Sequence, residues 1–216
     1  MIIRHSLYHC RFVRVGVILG LLILCLPYNA QAKEHRLLVL GDSISAAYGM
    51  SLEQGWVALL AQNLADREPA PEVINASISG ETTGGGLRRL PTLLAQHSPS
   101  LVIIELGGND GLRGFPLSAL RSNLDQLVDL SQAAGAEVIL VPMEIPPNYG
   151  ARYTAGFRAS FVDIAKATDS TLAPFLLEGV ATNPALMQAD GIHPSVEAQP
   201  LLLQNILPTV QAVLAE

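Results

Sequence analysis

The feature that most constrains this chain is an alternation. Short runs that are nearly all apolar, at residues 37–40, 73–76, 101–106 and 138–141, are separated by longer stretches whose apolar residues recur with helical spacing. A strand with no polar face must be covered on both sides, which is the condition of a parallel sheet between helices. A weaker fifth run, 171–177, is interrupted by Pro174. Helices are expected over 56–66 and 87–96, the second tolerating Pro91 only near its first turn. The clearest helix is PLSALRSNLDQLVDLSQAAG, where Leu117, Leu120, Leu124, Leu127 and Val128 form one apolar stripe and Gly135 offers a C-terminal cap. Residues 151–168 and 196–214 complete the set, the last bent or divided by Pro200 and Pro208. Strand and helix in alternation predict an α/β fold built on a doubly wound parallel sheet.

The alternation begins only after residue 32. Before it, Arg4, Arg11 and Arg14 lead into an uncharged apolar run, residues 15–26, and small residues follow at Ala30 and Ala32. This is the pattern of a cleaved secretory signal with the cut before Lys33, and its dozen or so apolar residues fall short of the roughly 20 that a membrane-spanning helix needs. Residues 1–32 are therefore expected to be removed, leaving 33–216 as one exported domain without stable membrane insertion. Its length, 216 less 32 residues, suffices for a substantial core, and no linker or internal repeat divides it. Both cysteines, Cys10 and Cys25, fall in the leader, so the mature chain has no disulfide and no thiolate for a metal. Thirteen basic residues less the three leader arginines, against 19 acidic, leave a net charge of −9. That balance argues against nucleic acid as a partner. A monomer is expected.

In doubly wound sheets, ligands gather beyond the carboxyl ends of the strands. The loops there hold Ser43 in GDSIS, Gly80 in NASISGETTGGG and Asn109 in ELGGNDG. A serine hydroxyl becomes a nucleophile when a base takes its proton and a third group fixes the base. Of the mature histidines, His35 lies in the charged start and reads as solvated. His97, at a helix end, reads as facing water and favouring the helix dipole. His193 differs: DGIHP puts Asp190 three residues earlier in a glycine turn, where a carboxylate could bend back to the imidazole Nδ1. Ser43, His193 and Asp190 are thus the candidate nucleophile, base and orienting acid. The Ser43 N–H, the Gly80 N–H and the Asn109 side-chain amide are candidate oxyanion donors.

Each of these motifs alone is an ordinary turn. Their succession, Ser, Gly, Asn, then Asp with His, is specific where the parts are not. Gly84, Gly85 and Gly86 read as flexible, and no G-K-[ST] follows to make a phosphate loop. Trp56 and Tyr48 read as core or packing residues. The mature chain has no H-E-x-x-H and its histidines are far apart, so no metal is expected; no dinucleotide fingerprint is present and no cofactor is implied. G-x-S-x-G is also absent around Ser43, Ser45 standing where its second glycine would be.

These blocks resemble the SGNH hydrolases, also called the GDSL esterase/lipase family, over essentially the whole mature chain. GDSIS matches the first block, with Ile44 where the name-giving pattern has Leu. NASISGET, GGND and DGIHP match the others. GLRGFP, PPNYGARY and DGIHPSVEAQP look like the periplasmic thioesterase I/lysophospholipase/arylesterase group of Gram-negative bacteria. The resemblance implies a three-layer α/β/α sandwich, with a flavodoxin-like central parallel sheet of about five strands. It also implies a periplasmic location and broad activity on acyl esters and thioesters.

The expected reaction is an acyl transfer to Ser43, assisted by His193, with activity rising as the imidazole loses its proton. Apolar loop residues Leu112, Phe115, Ile145 and Pro146 favour acyl chains. Two other readings stand beside this one: a carbohydrate O-acetyl esterase with a polar pocket, and a non-catalytic periplasmic binding protein.

Overall fold

A computed structural model describes residues 35–215. The expected leader and its cut site lie outside the described residues. Five parallel strands form one sheet: β1 (Arg36–Gly41), β2 (Glu72–Asn75), β3 (Leu101–Glu105), β4 (Glu137–Leu140) and β5 (Thr171–Leu172), in the order β2-β1-β3-β4-β5. β1 lies inside, with Leu37 opposite both Val73 and Leu101. Its four apolar residues from Leu37 to Leu40 are wholly buried, as a strand covered on both faces requires.

The helices are α1 (Trp56–Leu64), α2 (Thr83–His97), α3 (Gly108–Leu112), α4 (Leu117–Ala133), α5 (Ala151–Thr168) and α6 (Gln199–Val213). α1 packs with α6, while α4 packs between α2 and α5. Right-handed crossovers place these two groups on opposite faces of the sheet, giving the three-layer α/β/α sandwich. α1 and α6 bury Trp56, Leu60, Leu202 and Ile206; α4 and α5 bury Leu120, Leu124, Phe157 and Phe161. The strand order reverses direction between β1 and β3, the point where such sheets open a crevice. The loops carrying Ser43 and Asn109 leave from those two strands.

Several local expectations change. The fifth strand is only Thr171 and Leu172, both exposed and paired at the sheet edge with Ile139 and Leu140; the strand ends before Pro174 and turns begin at Leu176. α2 begins at Thr83, earlier than residue 87, because the Thr82 hydroxyl accepts the Gly85 N–H at 3.2 Å. Gly84, Gly85 and Gly86 are therefore its first turn, not a flexible loop. A Cβ on Gly86 would collide with Leu106 Cδ1, so the missing side chain lets the helix approach the sheet. Pro91 consequently sits in mid-helix, and Pro208 sits within an unbroken α6. Both prolines face solvent, where water can satisfy the carbonyl each leaves without a partner.

Candidate active site

Ser43 stands in the turn that ends β1, and buried side chains fix that turn. Asp42 Oδ1 accepts the Ile44 N–H at 3.0 Å, an Asx-type bond, and the turn closes with Tyr48 N donating to Ser43 O at 3.1 Å. From beneath, Glu105 at the end of β3 accepts the Ser45 hydroxyl at 2.6 Å and the Asp42 N–H at 3.3 Å, both on Oε2. A Cβ on Gly41 would lie 2.6 Å from that oxygen, so the carboxyl reaches the turn because residue 41 has no side chain. Ala47 is held at φ 56°, a left-handed conformation that costs a non-glycine residue about 1–3 kcal/mol and persists only where the surroundings impose it. The result is a serine only 9% exposed but open to the crevice.

Burial pushes the Asp42 carboxyl up to about 6, against the pull of the Ile44 N–H, the His193 charge and Asn109. Burial, reinforced by the Asp42 charge, raises Glu105 well above the ordinary carboxylate range. Glu105 is fully enclosed and its Oε1 has no partner among the described residues, so it is the member of the pair that keeps its proton.

His193 comes from a loop of a different kind. An antiparallel bridge between Met187 and Pro194 closes the loop, and Gln188 N donates to His193 O at 2.7 Å. Within it, Asp190 Oδ1 accepts the N–H groups of Ile192 at 2.9 Å and His193 at 3.0 Å. Its Oδ2 lies 2.6 Å from His193 Nδ1. The His193 N–H, then the ring, then the Ile192 N–H lower the Asp190 pKa to about 2. An ionised carboxylate only accepts, so Nδ1 carries the ring hydrogen and Nε2 is left to accept. Ser43 Oγ lies 2.8 Å from that Nε2. The three residues picked from the sequence therefore form one hydrogen-bonded line, although 150 positions separate Ser43 from His193.

Asn109 lies in the first turn of α3, and its Nδ2 donates to Asp42 Oδ2 at 3.0 Å, leaving a second N–H on the same amide. Next to it, buried Asp110 accepts the Thr83 hydroxyl at 2.5 Å and the Thr83 N–H at 2.9 Å, tying α3 to the start of α2. Gly80 lies on the rim, outside the residues lining the cavity, and Arg113 Nη2 donates to its carbonyl at 3.0 Å. The N–H groups of Ser43 and Gly80 donate to no other described residue. Gly80 adopts φ 78°, while a Cβ there would meet nothing nearer than 3.7 Å. Glycine is thus required by the backbone conformation.

The crevice beside Ser43, Asn109 and His193 encloses about 510 Å³. Leu112, Ile145 and Pro146 line it as expected, joined by Met143, Phe175 and Met187, which the sequence did not single out. Phe115 does not: it lies 40% exposed outside the lining, its carbonyl accepting the Tyr153 hydroxyl. His35 and His97 are half-buried and belong to a separate cluster with Ser100 and Arg36. Trp56 is core, but Tyr48 is not; it is half exposed and its ring lies 4.2 Å from the His193 ring, tilted by 32°. Tyr48, Gln188, Asp42 and Glu105 are the site neighbours that the sequence reading missed. For Glu105 a signal existed, an acid ending an otherwise apolar strand. Among the described residues no cluster of His, Cys, Asp or Glu is arranged to hold a metal, and no helix is long and apolar enough to cross a membrane.

Comparison with known proteins places this geometry. A relative from Pseudomonas aeruginosa named esterase TesA is 50% identical over 202 residues, covering 94% of this chain and all of that one. An Escherichia coli relative named thioesterase 1/protease 1/lysophospholipase L1 is 46% identical over 182 residues, covering 84% of this chain and 86% of that one. A crystal structure of TesA superposes with a TM-score of 0.80 at 52% identity, covering 82% of this chain and 99% of that one. The psychrotrophic esterase EstA from a Pseudoalteromonas species, inhibited by monoethylphosphonate, gives 0.81 at 46% identity, covering 85% and 100%. Residues 39–200 match the GDSL-like lipase/acylhydrolase family, and the chain belongs to that family.

Proposed function

We propose that this ester and thioester hydrolase works through an acyl-enzyme on Ser43, with His193 as base and Asp190 as its orienting acid. The observation that carries the reading is the unbroken line of hydrogen bonds from Asp190 through His193 to Ser43, ending at the mouth of an apolar cavity. In the first step His193 Nε2 takes the Ser43 proton as Oγ attacks the acyl carbonyl. The carbonyl electron pair moves to oxygen, where the free N–H of the Asn109 amide and the N–H groups of Ser43 and Gly80 are the donors available to it. The oxyanion collapses, the bond to the alcohol or thiol breaks, and the leaving group receives the proton from His193. Water then enters, gives its proton to the same nitrogen, and releases the acid by the same steps in reverse order. Asp190 holds the imidazole in the tautomer this needs and stabilises its cation.

The cavity's Leu112, Met143, Ile145 and Phe175 favour an acyl chain over acetyl alone. Aryl esters, acyl-CoA and lysophospholipid are the proposed substrates; relatives named arylesterase and thioesterase 1/protease 1/lysophospholipase L1 support aryl esters, thioesters and lysophospholipid. The active form is proposed to be residues 33–216, exported to the periplasm after removal of 1–32, and monomeric, with no nucleic acid and no cofactor. Purified Ser43→Ala tests the core of the reading: hydrolysis of p-nitrophenyl esters and labelling by a fluorophosphonate should both vanish. Undiminished turnover would reject Ser43 as nucleophile. A chain-length panel of esters and thioesters, with acetylated sugars beside it, tests the substrate class; cleavage restricted to sugar acetates would replace acyl chains with O-acetyl groups.

A further inference from the structure

We infer that Gln188 is a positioning residue which, together with Tyr48, sets the separation between Ser43 and His193. This rests on the proposed roles of those two residues. Asp190, Gly191 and Ile192 are exposed, and the bonds of Asp190 shape its own loop without fixing that loop to the sheet. Proton transfer at Nε2 needs a fixed distance to an oxygen that a different part of the chain supplies. Gln188 spans that gap. Its Nε2 donates to the Tyr48 carbonyl at 2.8 Å, in the turn headed by Ser43, and to the Pro194 carbonyl at 3.0 Å, one residue beyond His193.

One planar amide thus uses both its hydrogens to tie the turn that carries the hydroxyl to the loop that carries the imidazole. Its own backbone N–H holds the His193 carbonyl, so His193 is gripped on both sides. Gly49 lies against the same amide, where a Cβ would clash with the Gln188 Oε1. Tyr48 completes the clamp. Its N–H bonds to Ser43 O, its carbonyl receives Gln188, and its half-exposed ring covers the His193 ring. A ring left so open to water serves the core little; against the imidazole it limits tilting.

The test compares Gln188→Met, which keeps length and loses both donors, and Gln188→Glu, which sets a carboxylate against two carbonyls. Displacement of a reacting group by about 1 Å is worth up to roughly 100-fold in rate. Both variants should lose roughly 10- to 100-fold in kcat with KM unchanged within about twofold, and Tyr48→Leu should lose less. Fluorophosphonate labelling of Ser43, measured on folded protein, should slow in proportion. The 15N resonance of His193 Nε2 should move toward its position in Ser43→Ala, where no hydroxyl donates to it. An unchanged kcat with an unchanged 15N resonance overturns the inference, as does a loss of activity that only tracks the folded fraction by circular dichroism. If Ser43→Ala is inactive while Gln188→Met is fully active, only the clamp fails. If Ser43→Ala is active, the function proposed for Ser43 fails first.

Discussion

The turn that carries Ser43 and the loop that carries His193 solve one positioning problem by opposite means. Ser43 leaves a fully buried strand, and buried Asp42 and Glu105 hold its turn from below, at the cost of strain at Ala47. His193 sits in an exposed loop closed by the Met187–Pro194 bridge and shaped within by the carboxylate three residues away. The hydroxyl is placed by the sheet; the imidazole is placed by local bonds and by Gln188. A sheet end gives stiffness without adjustment. A loop gives freedom to shift as the imidazole shuttles a proton, and needs a clamp to limit it.

The largest effect expected from this contrast is shared. Ser43→Ala and His193→Ala should each lower kcat by roughly 10⁵- to 10⁶-fold, and the double variant should lose no more than either single, because the two act as one unit. Additive losses in kcat would separate the two regions and break the comparison. Asp190→Asn should cost roughly ten- to a hundredfold less than His193→Ala, since Gln188 and Tyr48 still hold the ring when its tautomer is wrong. Equal losses would mean that the carboxylate alone places the imidazole. Asn109→Ala should lower kcat by roughly 10²- to 10³-fold with little change in KM. In Asp42→Ala, which keeps the Asn109 amide but removes the acceptor that orients it and the acceptor of the Ile44 N–H in the Ser43 turn, the loss should be partial.

The smallest effects concern pH and folding, read by denaturant unfolding from pH 3 to 8. Asp42 is raised in the fold to about 6 from 3.8, so the folded state binds more protons than the unfolded chain between those values. Stability therefore falls as pH rises through that window, and Glu105 acts in the same direction from its ordinary value upward. Asp42→Asn should flatten this slope. Asp190 acts with opposite sign: lowered to about 2, it contributes stability above its unfolded value that is lost as pH falls toward 2. Being largely exposed, it should contribute little, so Asp190→Asn should move the curve less than Asp42→Asn. A reversed order would place the tighter electrostatic hold in the loop.

Legibility followed the same division. The four main strands were readable because a strand buried on both faces is written as an uninterrupted apolar run. The start of α2 was not, because Gly84–Gly86 have poor helix propensity and form a turn only through the Thr82 cap and the packing of Gly86 on Leu40 and Leu106. Pro208 left α6 whole for a similar reason: its cost depends on which side of the helix meets water. Asp190 and His193 were readable as a pair because their bond is made within three residues. Tyr48 and Gln188 were not, since their contact joins positions 140 apart and neither belongs to a recognisable spacing.

By itself, the sequence determined the parallel α/β sheet, the order of the polar loops along one edge and the chemical types gathered there. These depend on periodicity and on contacts between near neighbours in the chain. Only the tertiary structure decided the 2.8 Å between Ser43 and His193, the carboxyl beneath the nucleophile and the amide that clamps the two loops. Those distances arise where segments far apart in the chain are packed against a common sheet, and no local pattern of residues encodes how closely they meet.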